Sequence, residues 1–330
     1  MSWLRGGVVV AAGVSALACN AAAQNGLPGY VPARQVSGVI RTWGSPQMGD
    51  LLKLYEAGFH AVQPQVQFED DLKSTITAVA GVYTGRAEIG LLGREIWPVE
   101  EQAFASIEGH APRVIEVATG SYDVPKATFA LMVFVPRANP LANISMQQLA
   151  RVFGGGSSHA IHTWGELGLK GEWAWKPIHL YGFSRDNDKA QIFSKLVFAK
   201  GETWDCGLHE FANAADGTDA GELIVRAVES DPDAIGISNV HYATAGVRAL
   251  AIEGVAPMKA SVADRSYPLS RAVYIVVDRD MNEATAEFLR FVLSRQGQDA
   301  VVREANYLPL TEEIAQTELR ELPGGSRVPH

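Results

Sequence analysis

Short apolar runs alternate along the chain with stretches whose apolar residues recur every third or fourth position. The first pattern predicts strands and the second helices. The first pair spans residues 39–54. Val39 and Ile40 are β-branched, Gly44 permits a tight turn, Ser45 can cap a helix and Pro46 suits its first turn. Leu51, Leu52, Leu54 and Tyr55 then supply the buried helix face. Residues 65–68 alternate as a second strand, and a helix follows from Ser74 and Thr75 through Ile76, Val79 and Val82. Residues 87–92 read as a short buried strand ending at Gly93-Arg94-Glu95.

The second half repeats the design. Residues 127–135 are a continuous apolar run closed by Pro136, and Ser145 opens a helix through Leu149, Val152 and Phe153. The Gly/Ser stretch 154–158 is a loop. Residues 178–183 form a strand that ends in the polar segment 184–189, before a helix with Ile192, Phe193, Leu196 and Val197 on its apolar face. Further strands fall at 234–238 and 269–277, and further helices at 221–228, 284–294 and 296–304. Alternating strands and helices predict an α/β fold with mainly parallel sheets, and 330 residues favour two lobes.

In open α/β sheets ligands bind beyond the carboxyl ends of the strands. Those ends carry Thr42 with Ser45, Ser74 with Thr75, then Arg94, and in the second half Arg185. A helix start aims unpaired N–H groups and a positive dipole end at one point, which suits an anion. The stretch around Ser45 also fits an ordinary strand–helix connection with a capping Ser.

Composition narrows the classes. With 47% hydrophobic and 20% charged residues the chain is ordinary globular material. A net charge of -9 excludes nucleic acid as a partner, because phosphate-backbone binding needs a basic footprint. Residues 1–23 have the form of a secretory leader: Arg5, an apolar core over 8–18 too short to span a bilayer, and Ala21-Ala22-Ala23 for cleavage. Ala16-Leu17-Ala18-Cys19 resembles a lipoprotein box with its Leu one place late, so a lipid anchor on Cys19 is the second option. Cleavage would leave Cys206 alone, with no intramolecular disulfide. Residues 24–34 read as a flexible entry segment. No Gly-x-Ser-x-Gly elbow appears, the triple Gly lacks a P-loop Lys, and His159 with His162 has no further metal ligand at a suitable spacing. No enzyme, cofactor or metal is expected.

Several segments together resemble the phosphate-binding proteins of bacterial ABC importers, within the type II periplasmic binding-protein superfamily. Tyr267-Pro268-Leu269-Ser270-Arg271-Ala272-Val273-Tyr274 resembles that family's Y-P-L-S-R-x-x-Y strand. Residues 288–298 resemble its F-x-x-F-x-L-S-x-x-G-Q helix, and Tyr307-Leu308-Pro309-Leu310 its G-Y-x-P-L ending. Residues 144–155 with 161–168 resemble L-x-x-I-F-x-G-x-I-x-x-W-x-x-L, and Ala234-Ile235-Gly236-Ile237 resembles A-I-G-Y.

The resemblance implies a two-lobed α/β fold with a ligand cleft between the lobes. The first lobe would be 35–126 with 268–320, the second 127–267, and 321–330 a tail. It implies a monomeric periplasmic or otherwise secreted protein that captures inorganic phosphate or a related oxyanion for an inner-membrane ABC permease. The implied binding residues are Thr42, Ser45, Ser74, Thr75 and Arg94 from one lobe and Arg185 and Lys189 from the other. The family's R-x-x-G-S-G-T loop reads Arg185-Asp186-Asn187-Asp188-Lys189-Ala190-Gln191 in this chain, with Lys189 in place of a hydroxyl. That departure keeps open a lobe pair retained as a scaffold, and more remotely a secreted phosphoesterase.

Overall fold

The computed structural model describes residues 26–125, 130–155 and 160–323. The leader, Cys19, residues 24–25, His159 and most of the C-terminal tail lie outside the described residues.

The chain first lays down β1 (Gly38–Gly44), α1 (Gly49–His60), β2 (Val66–Asp71), α2 (Thr77–Tyr83), β3 (Ile89–Leu91), α3 (Pro98–Glu108) and β4 (Arg113–Thr119). It then builds β5 (Met132–Pro136), α4 (Met146–Phe153), β6 (His179–Phe183), α5 (Asp188–Val197), β7 (Leu208–Phe211), α6 (Ala220–Ser230), β8 (Ala234–Ser238), β9 (Val247–Ala249) and α7 (Lys259–Ala263). It returns through β10 (Ala272–Val277) and ends in α8 (Glu283–Val292), α9 (Arg295–Glu304) and α10 (Glu312–Glu321).

Two five-stranded sheets result, in the orders β2-β1-β3-β10-β4 and β7-β6-β8-β5-β9. They share one design. The locally built strands run parallel, and one strand from beyond the lobe crossing is inserted antiparallel: β10 between β3 and β4, and β5 between β8 and β9. The expectation of mainly parallel sheets holds, with this exception at the two crossing strands. β5 is buried along its length and β10 everywhere but at the half-buried Tyr274, as their apolar sequences require.

Each sheet has its own core. Ile40, Tyr55, Phe59, Phe288 and Phe291 belong to the first, and Phe134, Phe153, Trp164 and Phe193 to the second. The two crossing segments lie side by side: Ala130 bridges Ser270, Leu131 N–H donates to Leu269 O at 3.2 Å, and Gly120 N–H to Arg271 O at 2.8 Å. Two lobes with separate cores meet at this double strand and at contacts beside it, the Arg265–Glu116 ion pair among them, an arrangement that suits hinge rotation.

The turn after β1 follows the glycine logic. Gly44 has φ +136, and a Cβ there would lie 2.3 Å from Leu91 O. The helix does not begin at Ser45, however. Residues Pro46–Met48 form a short 3-10 turn, and Ser45 caps nothing with its side chain. Likewise α2 starts at Thr77, with Ser74 and Thr75 in a preceding turn. Gly154–Gly155, expected in a loop, pair with Thr203–Trp204 as a small ribbon.

Candidate functional site

A cavity of about 840 Å³ lies between the lobes. Thr75 and Ile76 before α2, residues 92–95 after β3, Gln47 and Tyr307 give it one wall. The flank of α5 gives the other, through Asp188, Gln191, Ile192 and Lys195, with Asp186 just ahead. Val124, Pro125 and Arg271, at the crossings, form its floor.

Of the residues read from the sequence, Thr75 and Arg94 line this space. Arg94 is already engaged: its two terminal nitrogens meet Glu100 at 2.9 and 2.7 Å, one also donates to Glu95 O, and the guanidinium lies 4.0 Å over the Trp97 ring. Ser45 is buried one layer back, where its hydroxyl donates to Gln47 Oε1 at 3.1 Å. A Cβ on Gly93, which lines the cavity, would stand 3.7 Å from the Ser45 hydroxyl. Ser74 serves its own turn, with its hydroxyl accepting from Ile76 N–H at 3.4 Å.

Three more residues, besides Ser45 and Ser74, do not line the cavity. Thr42 is fully buried, on the same side of β1 as Ile40, and its cross-strand partner is Asp70. Its hydroxyl is buried without a hydrogen-bond partner, on the strand beside Asp70. Arg185 is exposed and paired with Glu210 at 2.9 Å, with a further bond to Asp205 O. Lys189 is buried, 3.8 Å from Asp219 and 5.1 Å over the Phe183 ring. The reason is helical phase. Segment 184–191 is not one loop, because α5 begins at Asp188. Lys189, Ala190 and Phe193 then face the core, and the helix turns positions 188, 191, 192 and 195 to the cleft.

The site has charged members that the sequence reading did not assign. Arg271, 5% exposed, grips both oxygens of Glu95. Burial pushes the Glu95 carboxyl up, but the Arg271 fork and charge outweigh it and hold the group below its ordinary value, with help from Lys195 of the other lobe. Lys195 therefore acts on Glu95 across the cleft. Arg94, Arg271 and Lys195 are matched on the cavity lining by Glu95, Asp186 and Asp188. Arg271 sits within the Tyr-Pro-Leu-Ser-Arg signature, the one charge in a long apolar run. That was the available signal for it.

Among the described residues, His110, Asp278 and Asp280 bring their ligand atoms within 4.8 Å of one another and could hold a metal ion, but none of them lines the cavity. No described helix is long and apolar enough to cross a membrane.

Comparison with known proteins agrees with the architecture. The family model described as the PBP superfamily domain matches residues 31–296. The phosphate-binding protein PstS of Pseudomonas aeruginosa is 32% identical over 327 residues, covering 95% of this chain and 96% of that protein. Among solved structures, PstS from Borrelia burgdorferi superposes with a TM-score of 0.60 at 16% identity, over 83% of this chain and 100% of that one. An ABC-type phosphate transport receptor from Vibrio cholerae gives a TM-score of 0.55 at 18% identity, over 82% and 99%. These two likenesses bear on the fold, which is the two-lobed one; the full-length match to the Pseudomonas protein bears on the family. The chain belongs to the PBP superfamily and, within it, to the PstS family of phosphate-binding proteins.

Proposed function

We propose that this chain is an exported solute-binding protein that captures phosphate or a related oxyanion in the cleft between its lobes and delivers it to an inner-membrane ABC permease. The supporting observation is the first-lobe wall, where Thr75, the turn into α2, Gly93 and Arg94 converge on one cavity. A threonine hydroxyl and a planar guanidinium are donors that suit an oxyanion. The lobes would be 35–126 with 268–320 and 127–267, and closure about the paired crossings would report occupancy to the permease. The protein acts as a monomer and performs no catalysis. Glu95 adds a selectivity element. A carboxylate has lone pairs beyond those given to Arg271, so it accepts from the proton that phosphate retains near neutral pH and repels sulfate, which carries none.

Titration calorimetry with inorganic phosphate and with sulfate tests this. Phosphate binds, sulfate binds more weakly, and Arg94→Ala loses about 10–100-fold in affinity, the worth of a charged hydrogen bond at about 1.5–3 kcal/mol. One observation favours a second reading, a two-lobed interaction protein without a transported ligand: Arg185 and Lys189 are committed to Glu210 and Asp219. Failure of every oxyanion to bind would select that reading.

A further inference from the structure

We propose that Lys195 is the second lobe's anion clamp: closure of the cleft brings its ammonium onto an anion held at Thr75 and Arg94. The proposal rests on the oxyanion reading above and names the second-lobe residue of that site, well along α5 from Arg185 and Lys189.

Charge commitment is the first ground. Among the described residues, the cations on the cavity lining are Arg94, Arg271 and Lys195. Arg94 is forked onto Glu100 at 2.9 and 2.7 Å, and Arg271 onto Glu95. Arg94 keeps N–H donors beyond these bonds, since a guanidinium carries five, but Glu100 offsets its charge. Lys195 makes no hydrogen bond or ion pair among the described residues. It is therefore the lining cation whose charge is free to meet an anion.

The other candidates in the second lobe are held. Arg185 pairs with Glu210 and Lys189 with Asp219, and rigid-body closure leaves contacts within a lobe unchanged. Ser194, on the lining, donates its hydroxyl proton to Gln191 O at 2.9 Å. Gln191 donates from its side-chain amide to Arg185 O at 3.3 Å. Its second amide hydrogen can add a neutral contact beside Lys195.

Position is the second ground. Residues 191, 192 and 195 share the face of α5 that is turned to the cleft. Helical side chains lean toward the N-terminus, so the flexible four-carbon stem of Lys195 carries its ammonium back over that face. Its charge already reaches the first-lobe wall. Burial raises the Glu95 carboxyl, and the Arg271 fork, then the Lys195 charge, lower it. Glu95 directly follows Arg94, so Lys195 faces the wall that carries the anion's other donors. Asp188 lies about 10 Å back along the axis of α5, and Asp186 further still. Asp188 is also in the first turn, where the positive end of the helix dipole offsets a carboxylate.

Titration calorimetry with inorganic phosphate tests this on the exported full chain and on Lys195→Met, Lys195→Arg and Arg185→Ala. Lys195→Met weakens binding at least about tenfold, the scale of a charged hydrogen bond. Lys195 is exposed, so this variant keeps the native Tm. Lys195→Arg restores most of the affinity, and Arg185→Ala stays within about twofold of the native chain. Added salt weakens native binding more than that of Lys195→Met, because the attraction that the ammonium supplies is screened. Native phosphate binding that Lys195→Met leaves intact, or a loss produced by Arg185→Ala and not by Lys195→Met, overturns the proposal and leaves the oxyanion reading standing. A native chain that binds no phosphate overturns the oxyanion reading and this proposal with it.

Discussion

Lys189→Met separates the structural account from the sequence expectation most sharply. The ammonium of Lys189 lies 3.8 Å from Asp219, and the two side chains are 9% and 6% exposed. Removing one partner of a buried ion pair costs about 3–5 kcal/mol, because the remaining charge is stranded. Asp219 is not wholly stranded, since it also accepts from Gly221 N–H at 2.8 Å as the cap of α6. Met preserves the stem over Phe183. Both points set the cost at the lower end, about 3 kcal/mol. For a unit of 150–250 residues each kcal/mol moves Tm by about 2–4 °C, so a loss of about 6–12 °C is expected by calorimetry. Oxyanion affinity should stay within about twofold, since Lys189 does not line the cleft. The double variant Lys189→Met/Asp219→Asn should be more stable than Lys189→Met alone, because the two sites are coupled. A Lys189→Met protein with unchanged Tm and lost oxyanion binding would refute this reasoning and return Lys189 to the site.

Gly44→Ala should destabilise by at least about 2–4 kcal/mol in urea unfolding, from a strained φ of +136 and a Cβ 2.3 Å from Leu91 O. Arg271→Met should cost about 2–3 kcal/mol, less than a fully buried pair because the Glu95 side chain is 31% exposed, and should push the Glu95 carboxyl above its ordinary value, a shift that carbon-detected NMR titration can follow. Burial, then the neighbouring Asp70, raises the Glu56 carboxyl to about 8, so the folded state holds a proton that the unfolded chain releases near pH 4.5. Stability from this group is full below pH 4.5 and is lost as pH rises through 8; Glu56→Gln should flatten the fall in urea midpoint between pH 5.5 and 8.5.

The elements were legible because their signals are local. Apolar periodicity marked α5, α6, α8 and α9, and Gly44 marked the turn after β1 by a requirement that only glycine meets. The antiparallel insertion of β5 and β10 was not legible, because strand direction depends on where the chain re-enters a sheet. At the site, Thr42 could have been set aside from the sequence: strand alternation puts it on the same face as Ile40. Lys189 could not. Whether it faces core or cleft turns on the first residue of α5, and a shift of one residue rotates a helix position by about 100°. The Arg271–Glu95 pair joins residues 176 apart in sequence, so only sheet register and the crossing bring it together.

The position of a bound anion tests the central claim most directly. Arsenate has the shape and protonation of phosphate and scatters anomalously, so a crystal of the exported chain soaked with it would locate the site without reference to affinity. The account predicts an anomalous peak within hydrogen-bond reach of Thr75 and Arg94 on the first-lobe wall. A peak at the start of α5 beside Arg185 and Lys189, or none in the cleft, would contradict it.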